Sequence, residues 1–586
     1  MRSLLLLGLL ASWGNAQNST FYNPIFPGFF PDPSCIYVPE RDNTFFCASS
    51  SFNAFPGIPI HASKDLQNWK LISHVLNRKD QLPRLAETNR STSGIWAPTL
   101  RFKDDTFWLV TTLVDDDRPQ ADFSRWDNII FKGKDPYNSS SWSKATHFNL
   151  TGYDPEPFWD VDGKVYINAA HAWQVGPYIE QAEVDLDTGV VGEWRTIWNG
   201  TGGLAPEGPH IYHKDGWYYL LAAEGGTGVD HMVTMARSKS VSGPFESYEN
   251  NPVLSNANTT SLFQTVGHSD MFQDGNGNWW AVALSTRSGP EYINYPMGRE
   301  TVMTPVSWPE GGWPVFTPIS GKVSGWPMPA ETLDIKGEGQ FVNHETDEIL
   351  TFSSNTSLPS HFTHWRYPVS ESFTVSPPEK PNTLRLTPSN LNLTALNGNY
   401  AGPTGQTFIS RRQQDTLFTF AVDLDFSPTT LEEEAGITAF LTQNHHLDMG
   451  IVLLPRNAST VSSFLPRGTP DNSTSSVSEL IPQIRFRGES YVPVPKPIIA
   501  PVPIGWRGKK LTLEIKASNR THHSFSVGPA DARSQMQTLL YTSNDPVSWG
   551  FTGVLLGIYA TSNGKNGTTP AYFDNWRYLP QGQFRD

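Results

Sequence analysis

The stretch "EGPHIYHKDGWYYLLAA", residues 207–223, decides the fold. An acid beside Gly and Pro leads into an apolar strand, a tight Asp-Gly turn and an aromatic strand, which together read as a β-hairpin. The same order recurs in "DPSCIYVPERDNTFFCAS" (32–49), "WAPTLRFKDDTFWLVTT" (96–112), "DPEPFWDVDGKVYINAA" (154–170) and "HSDMFQDGNGNWWAVAL" (268–284). The leading residues lie 53 to 64 positions apart, and each interval has room for four short strands with their loops, the content of one propeller blade. Five units therefore predict a five-bladed β-propeller. The leading residue of each unit then starts an innermost strand, so Asp32, Trp96, Asp154, Glu207 and His268 converge at one end of the central channel. Asp105, Asp162 and Asp215, inside the hairpin turns, read as turn formers. Asp-Pro and Glu-Gly are also common turn dipeptides, but the repeat puts the leading acids inside the ring rather than at its tips.

With 586 residues the chain exceeds one ordinary domain. Its aromatic content of 12%, with 20 Trp, 47 Gly and 47 Pro, favours short strands and many turns, an all-β class. The repeat fades in "GWPMPAETLDIKGEGQFVN" (325–343), and from about Thr351 alternating strands return: "TFAVDLDF" (419–426), "KLTLEIKA" (510–517), "GVLLGIYA" (553–560) and "AYFDNWRY" (571–578). These predict a β-sandwich over 346–586, joined by a linker over 331–345 to a propeller over 20–330. Within the sandwich, residues 457–479 read as a flexible, glycosylatable loop and "VPVPKPIIAPVP" (492–503) as an extended segment.

The formal charge is −14, from 43 basic and 57 acidic residues, with no Lys/Arg cluster long enough to track a phosphate backbone. Nucleic acid is excluded as a partner on that ground. A neutral sugar suits an acidic, Trp-rich protein, because its C–H faces pack on aromatic rings while carboxylates and amides take its hydroxyls. The N-terminal "MRSLLLLGLLASWGNAQ" has the layout of a signal peptide over residues 1–16. No later run approaches the roughly 18 to 20 apolar residues of a membrane span, so a secreted, extracellular protein with no membrane partner is expected. Twelve Asn-x-Ser/Thr sequons, at Asn18, Asn89, Asn138, Asn149, Asn199, Asn258, Asn355, Asn392, Asn457, Asn472, Asn519 and Asn566, exceed what chance yields in so Asn-, Ser- and Thr-rich a chain. The only cysteines, Cys35 and Cys47, flank one hairpin turn. They read either as a cross-strand disulfide or as two buried thiols; zinc needs more ligands than this spacing offers.

Converging carboxyl groups are the minimum for glycoside hydrolysis: one protonates the leaving oxygen while the other activates water or attacks the anomeric carbon. A third carboxylate keeps the acid protonated near neutrality. The motifs "NPIFPGFFPDPS", "SSSFNAFPGIPIHASKDLQNW", "GIWAPTLRF", "YDPEPFWDVDGKVYI", "APEGPHIY", "GHSDMF" and "MGRETV", in this order, resemble glycoside hydrolase family 43, five-bladed propellers acting on xylans and arabinans. In the second region, "ISRRQQDTLFTFAVDLDFSPTTLEEEAGI" and "FTGVLLGIYATSNG" resemble the β-sandwich of the family's β-xylosidases and arabinofuranosidases.

The resemblance implies an inverting hydrolase with Asp32 as general base, Glu207 as general acid, and Asp154 orienting Glu207 and raising its pKa. It places Arg299 near the base and the substrate, with a structural ion pair to Glu300 or another acid as the alternative. His268 takes the family's channel position, where some members hold a hydrated calcium; no metal is expected to be required, with a structural calcium near His268 as the option. Phe52, Phe55 and Trp96 match the aromatic walls of the substrate pocket, or else belong to the propeller core. Where β-xylosidases of the family usually read "FEWFPG", this chain reads "FNAFPG", so Ala54 is expected to open the pocket for a branched polymer. Glu156 is a second departure, read either as touching the branch or as a solvated strand residue. The whole chain most resembles the fungal arabinofuranohydrolases that remove 3-linked arabinofuranose from doubly substituted xylose, giving an α-L-arabinofuranosidase acting on arabinoxylan. The alternatives are a β-D-xylosidase, a bifunctional enzyme, and a catalytically silent carbohydrate-binding propeller.

Overall fold

Each of the five hairpins opens its own antiparallel sheet in the computed structural model, which describes residues 20–398, 405–461 and 479–586. The leader over 1–16, the sequons Asn18 and Asn472 and most of the 457–479 loop lie outside the described residues. The innermost strands are Ser34–Val38, Gly94–Lys103, Gly152–Trp159, Glu207–Lys214 and Phe263–Gln273. Four sheets have four strands each, and the third carries a short extra one, Val190–Val191. Thr20–Tyr22 pairs with Lys322–Ser324, and Asn23 exchanges hydrogen bonds with Met303, so the two ends of this region meet beside the fifth sheet. Cys35 stands directly opposite Cys47 and the two form a disulfide.

On the axis Arg101 donates to Asp270 (2.8 Å) and to Glu156 (3.2 Å), while Glu156 also accepts from Asn168 and from the backbone N–H of Ile211. Ser34 of the first blade donates to Asp270 at 2.6 Å; buried charges persist when paired and hydrogen-bonded, and this network ties all five blades together. Apolar side chains fill the spaces between blades, as where Phe46, Ile60, Leu100 and Leu109 meet between the first two.

The second domain is a sandwich of an eight-stranded and a six-stranded sheet. Alternation along Leu417–Asp425 and Glu434–Thr442 turns Phe420, Val422 and Leu424, and Ile437 and Ala439, into the space between the sheets. The connecting segment does not hang free: Gln340 accepts from the backbone of Leu71 and Val342 donates to Trp69, so it runs along the outer strand Lys70–Leu76. Two further contacts lock the domains. The strand Ala54–Phe55 pairs with His364–Trp365, and the segments around Gly298 and Gly553 cross at backbone distance. A Cβ on Gly298 would stand 2.1 Å from the carbonyl oxygen of Thr552, and one on Gly553 2.2 Å from that of Met297. Only glycines permit this approach, which carries Phe551 to Arg299.

Candidate active site

In four of the five blades the leading residue reaches the channel mouth at a break in the inner strand; Asp32 precedes its strand. The ladder slips between Trp96 and Thr99, between Tyr153 and Glu156, between Glu207 and His210, and twice around Gly267. Such bulges re-aim a side chain that a regular strand would turn into a blade. Asp32, Asp154 and His268 take positive φ of 53°, 54° and 48°. Asp and His are among the few non-glycine residues that tolerate this left-handed region. Gly208, immediately after the acid, is required by space: a Cβ there would lie 2.9 Å from the His268 ring.

Asp32, Asp154, Glu207, Arg299, His268, Trp96 and Phe52 line one pocket of about 170 Å³. The Arg299 fork holds Asp32, with Nη1 3.0 Å from Oδ1 and Nη2 3.4 Å from Oδ2, and Ser50 donates to Oδ2 at 2.6 Å. Burial alone would raise the Asp32 carboxyl; the charge of Arg299 and the Ser50 hydrogen bond outweigh it and hold the group below its ordinary value. Glu300, the alternative partner for Arg299, instead pairs with Arg287 at 2.7 Å.

The opposite environment surrounds the other two acids. Burial pushes Glu207 up to about 7, with the charge of Asp32 adding to it and the Tyr153 hydrogen bond and Arg299 opposing. Burial, then the charges of Glu207 and Asp32, lift Asp154 well above the usual carboxylate range. Asp154 accepts from the backbone N–H of Gly208 at 3.2 Å, which keeps it beside Glu207. Both carboxyls are held toward the protonated form. The site thus pairs an ionised carboxylate with a protonated one, the division of labour that acid–base hydrolysis needs.

Burial also lowers His268 to about 4, so the ring is neutral; its Nδ1 lies 3.9 Å from Asp154 Oδ2. Calcium takes six to eight oxygen ligands, and the described residues bring no group of three or more His, Cys, Asp or Glu together to hold a metal. An ion beside His268 would be held mainly by water.

Three expected positions fall elsewhere. Phe55 packs its ring 4.7 Å from Tyr367 and does not line the pocket. Ala54 is fully buried opposite Trp365, so it faces the domain junction and opens no space for a branch. Glu156 is 1% exposed and belongs to the axial Arg101 network; it touches neither solvent nor the pocket. The bulge at Asp154 is the reason, because it separates two residues that regular alternation would place on one face.

Conversely, several pocket residues were not singled out from the sequence: Ala97, Tyr153, Trp173, Leu204, Ala205, Gly226, Thr227 and Phe551. Thr227 accepts from Arg299 at 3.1 Å, and the Phe551 carbonyl accepts from Arg299 Nε at 3.0 Å. The Phe551 ring stacks 5.7 Å from Phe52 and meets Trp96 edge-on at 5.9 Å. The sandwich therefore supplies one wall of the pocket.

The Glycosyl hydrolases family 43 model matches residues 21–314, and that of the Beta xylosidase C-terminal Concanavalin A-like domain matches residues 350–579. A non-reducing end alpha-L-arabinofuranosidase of Bacteroides ovatus is 33% identical over 574 residues, 97% of each chain. Xylosidase/arabinosidase 43B of Humicola insolens is 33% identical over 426 residues, 71% of this chain and 74% of its own. Among solved structures, the Bacteroides ovatus Xyloglucan PUL GH43B has a TM-score of 0.78 at 30% identity, over 96% of this chain and 100% of its own. A xylan beta-1,4-xylosidase from Bacillus halodurans has a TM-score of 0.77 at 25% identity, over 95% of this chain and 100% of its own.

Proposed function

The chain belongs to glycosyl hydrolase family 43, and on that premise we propose that it is an exo-acting, inverting α-L-arabinofuranosidase that removes terminal arabinofuranose from arabinoxylan. The observation that carries this reading is the small pocket with three carboxyls around it. At about 170 Å³ it is smaller than the roughly 300–1,000 Å³ of sites for drug-sized ligands, so it takes one terminal sugar rather than a run of polymer.

In the proposed reaction Asp32, kept ionised by Arg299, takes a proton from water as the water oxygen bonds to the anomeric carbon. The bond to the leaving oxygen breaks as Glu207 delivers its proton there, so the sugar leaves with inverted configuration. Solvent then takes the proton from Asp32 and returns one to Glu207, whose burial beside Asp154 favours the protonated form. Inversion calls for base and acid roughly 6.5 to 9.5 Å apart, with water between them. These groups complete the chemistry without a metal, so chelation is expected to leave the rate unchanged.

A β-D-xylosidase, or an enzyme with both activities, is the second reading, favoured by the double name of the Humicola insolens relative and by the xylosidase among the similar structures. The preference for 3-linked arabinose on doubly substituted xylose is supported by the resemblance to fungal arabinofuranohydrolases alone, since Ala54 and Glu156 lie away from the pocket. Release of arabinose, and not xylose, from defined arabinoxylan oligosaccharides is the deciding result.

We also propose that the protein works outside the cell. The leader-like N-terminus and the Cys35–Cys47 disulfide support this, and none of the sequon asparagines among the described residues is buried. Edman sequencing of the secreted protein, with Gln17 at its start, is the test.

A further inference from the structure

Among the described residues, the Tyr153 phenol is the one neutral side chain that hydrogen-bonds to a carboxyl of the acid pair. Tyr153 is 2% exposed, and its hydroxyl donates to Glu207 Oε2 at 3.0 Å. The ring cannot easily turn away. It stacks on Trp126 at 5.3 Å with 16° between planes and meets Trp96 edge-on at 5.9 Å. Its backbone pairs with Ala170 just before the bulge that releases Asp154. Burial and the charges of Glu207 and Asp154 raise the phenol far beyond neutrality, so it remains a donor throughout the working range.

We propose that Tyr153 is a positioning residue for the general acid, deciding which oxygen of Glu207 carries the proton. An oxygen that accepts from a phenol is the carbonyl-like one. With Oε2 so engaged, the proton resides on Oε1, for which no protein partner is recorded among the described residues, and which is free to meet the leaving oxygen. The same hydrogen bond favours the ionised carboxylate, so it opposes desolvation. The acid is then weak enough to stay protonated and strong enough to release its proton to an alkoxide-like leaving group. This inference rests on the reading of Glu207 as the acid.

The test is Tyr153→Phe, which keeps the ring and its stacking. On whichever pentoside the wild-type enzyme cleaves, the basic limb of the kcat/KM profile is expected to move up by about one pH unit, the scale of one hydrogen bond to a charged group. The plateau kcat on a natural oligosaccharide is expected to fall about tenfold through lost orientation, with a smaller loss on a 4-nitrophenyl glycoside that needs almost no protonation. An unmoved limb, or equal losses on both substrates, overturns the proposal. An unchanged thermal midpoint separates either result from misfolding. Carbon-13 NMR titration of the Glu207 carboxyl in both proteins reads the shift directly, even if no pentoside is cleaved. A failure of the glycosidase reading and a failure of the Tyr153 role are thereby distinguishable.

Discussion

Replacing Arg299 with Met tests how the base is kept ionised. The two charged groups stand 3.0 Å apart at their nearest atoms, with side chains only 6% and 5% exposed. At that distance and an effective dielectric of about 20, the attraction is about 5.5 kcal/mol, which corresponds to about four pH units. The Ser50 hydrogen bond survives the substitution and water enters the space, so about half of that shift is expected to be visible. Its sign follows from burial, the largest influence on Asp32 and one that raises its pKa once the opposing cation is gone. The acid limb of kcat/KM, which reports ionisation of the base, should therefore move upward by about two pH units. Stability follows the same linkage: the lowered Asp32 value contributes above the ordinary carboxylate range and is lost as pH falls through the folded value, and the Met variant lacks that contribution. The assay is a pH profile on an aryl arabinofuranoside, at a temperature well below unfolding. Arg299→Lys is the control, since it keeps the charge but not the fork; its limb should stay low while kcat/KM drops. If the Met variant loses activity with its acid limb unmoved, Arg299 serves the substrate and not the base.

Glu207→Ala should cut hydrolysis of natural substrates by about 10²- to 10⁴-fold and that of activated aryl glycosides much less; equal losses argue against its role as the acid. Asp154→Asn removes the neighbouring carboxyl whose ionisation would oppose that of Glu207, so the basic limb should move to lower pH, and an unchanged limb rejects that task. Phe551→Ala deletes one aromatic wall while its carbonyl still accepts from Arg299, so KM should rise about tenfold with the acid limb in place. An unchanged KM would remove the sandwich from substrate binding. Ala54→Trp should overpack the junction with Trp365 and cost about 1–3 kcal/mol, seen as a lower thermal midpoint with unchanged selectivity between branched and linear substrates; altered selectivity would return Ala54 to the pocket.

The fold was legible because a propeller repeats its hairpin, and repetition marks which acids share a position. Asp32, Asp154 and Glu207 could be grouped for that reason alone, before any geometry. Local inference failed where the backbone breaks its own period. Glu156 follows Asp154 by two residues, and in a regular strand the two would share a face; the bulge sends one to the pocket and the other to the axis. Ala54 and Phe55 were misplaced for a related reason, since they form a short strand whose partner, His364–Trp365, belongs to the second domain. Phe551 carries no local signal of its pocket role. Its contact with Arg299 spans 252 residues and depends on the paired glycines Gly298 and Gly553, whose significance appears only when the two backbones are seen to touch. Tyr153 stood inside a motif already noted, but its bond to Glu207 crosses between blades.

The most direct test of the central claim is proton NMR of the reaction with singly and doubly substituted arabinoxylan oligosaccharides, recorded from the first minutes. The account predicts free arabinofuranose appearing first as the β-anomer, inverted from the α-linkage, while the xylose backbone stays intact. Arabinose appearing first as the α-anomer would contradict the roles of Asp32 and Glu207. Xylose released from linear xylobiose without arabinose would contradict the proposed substrate.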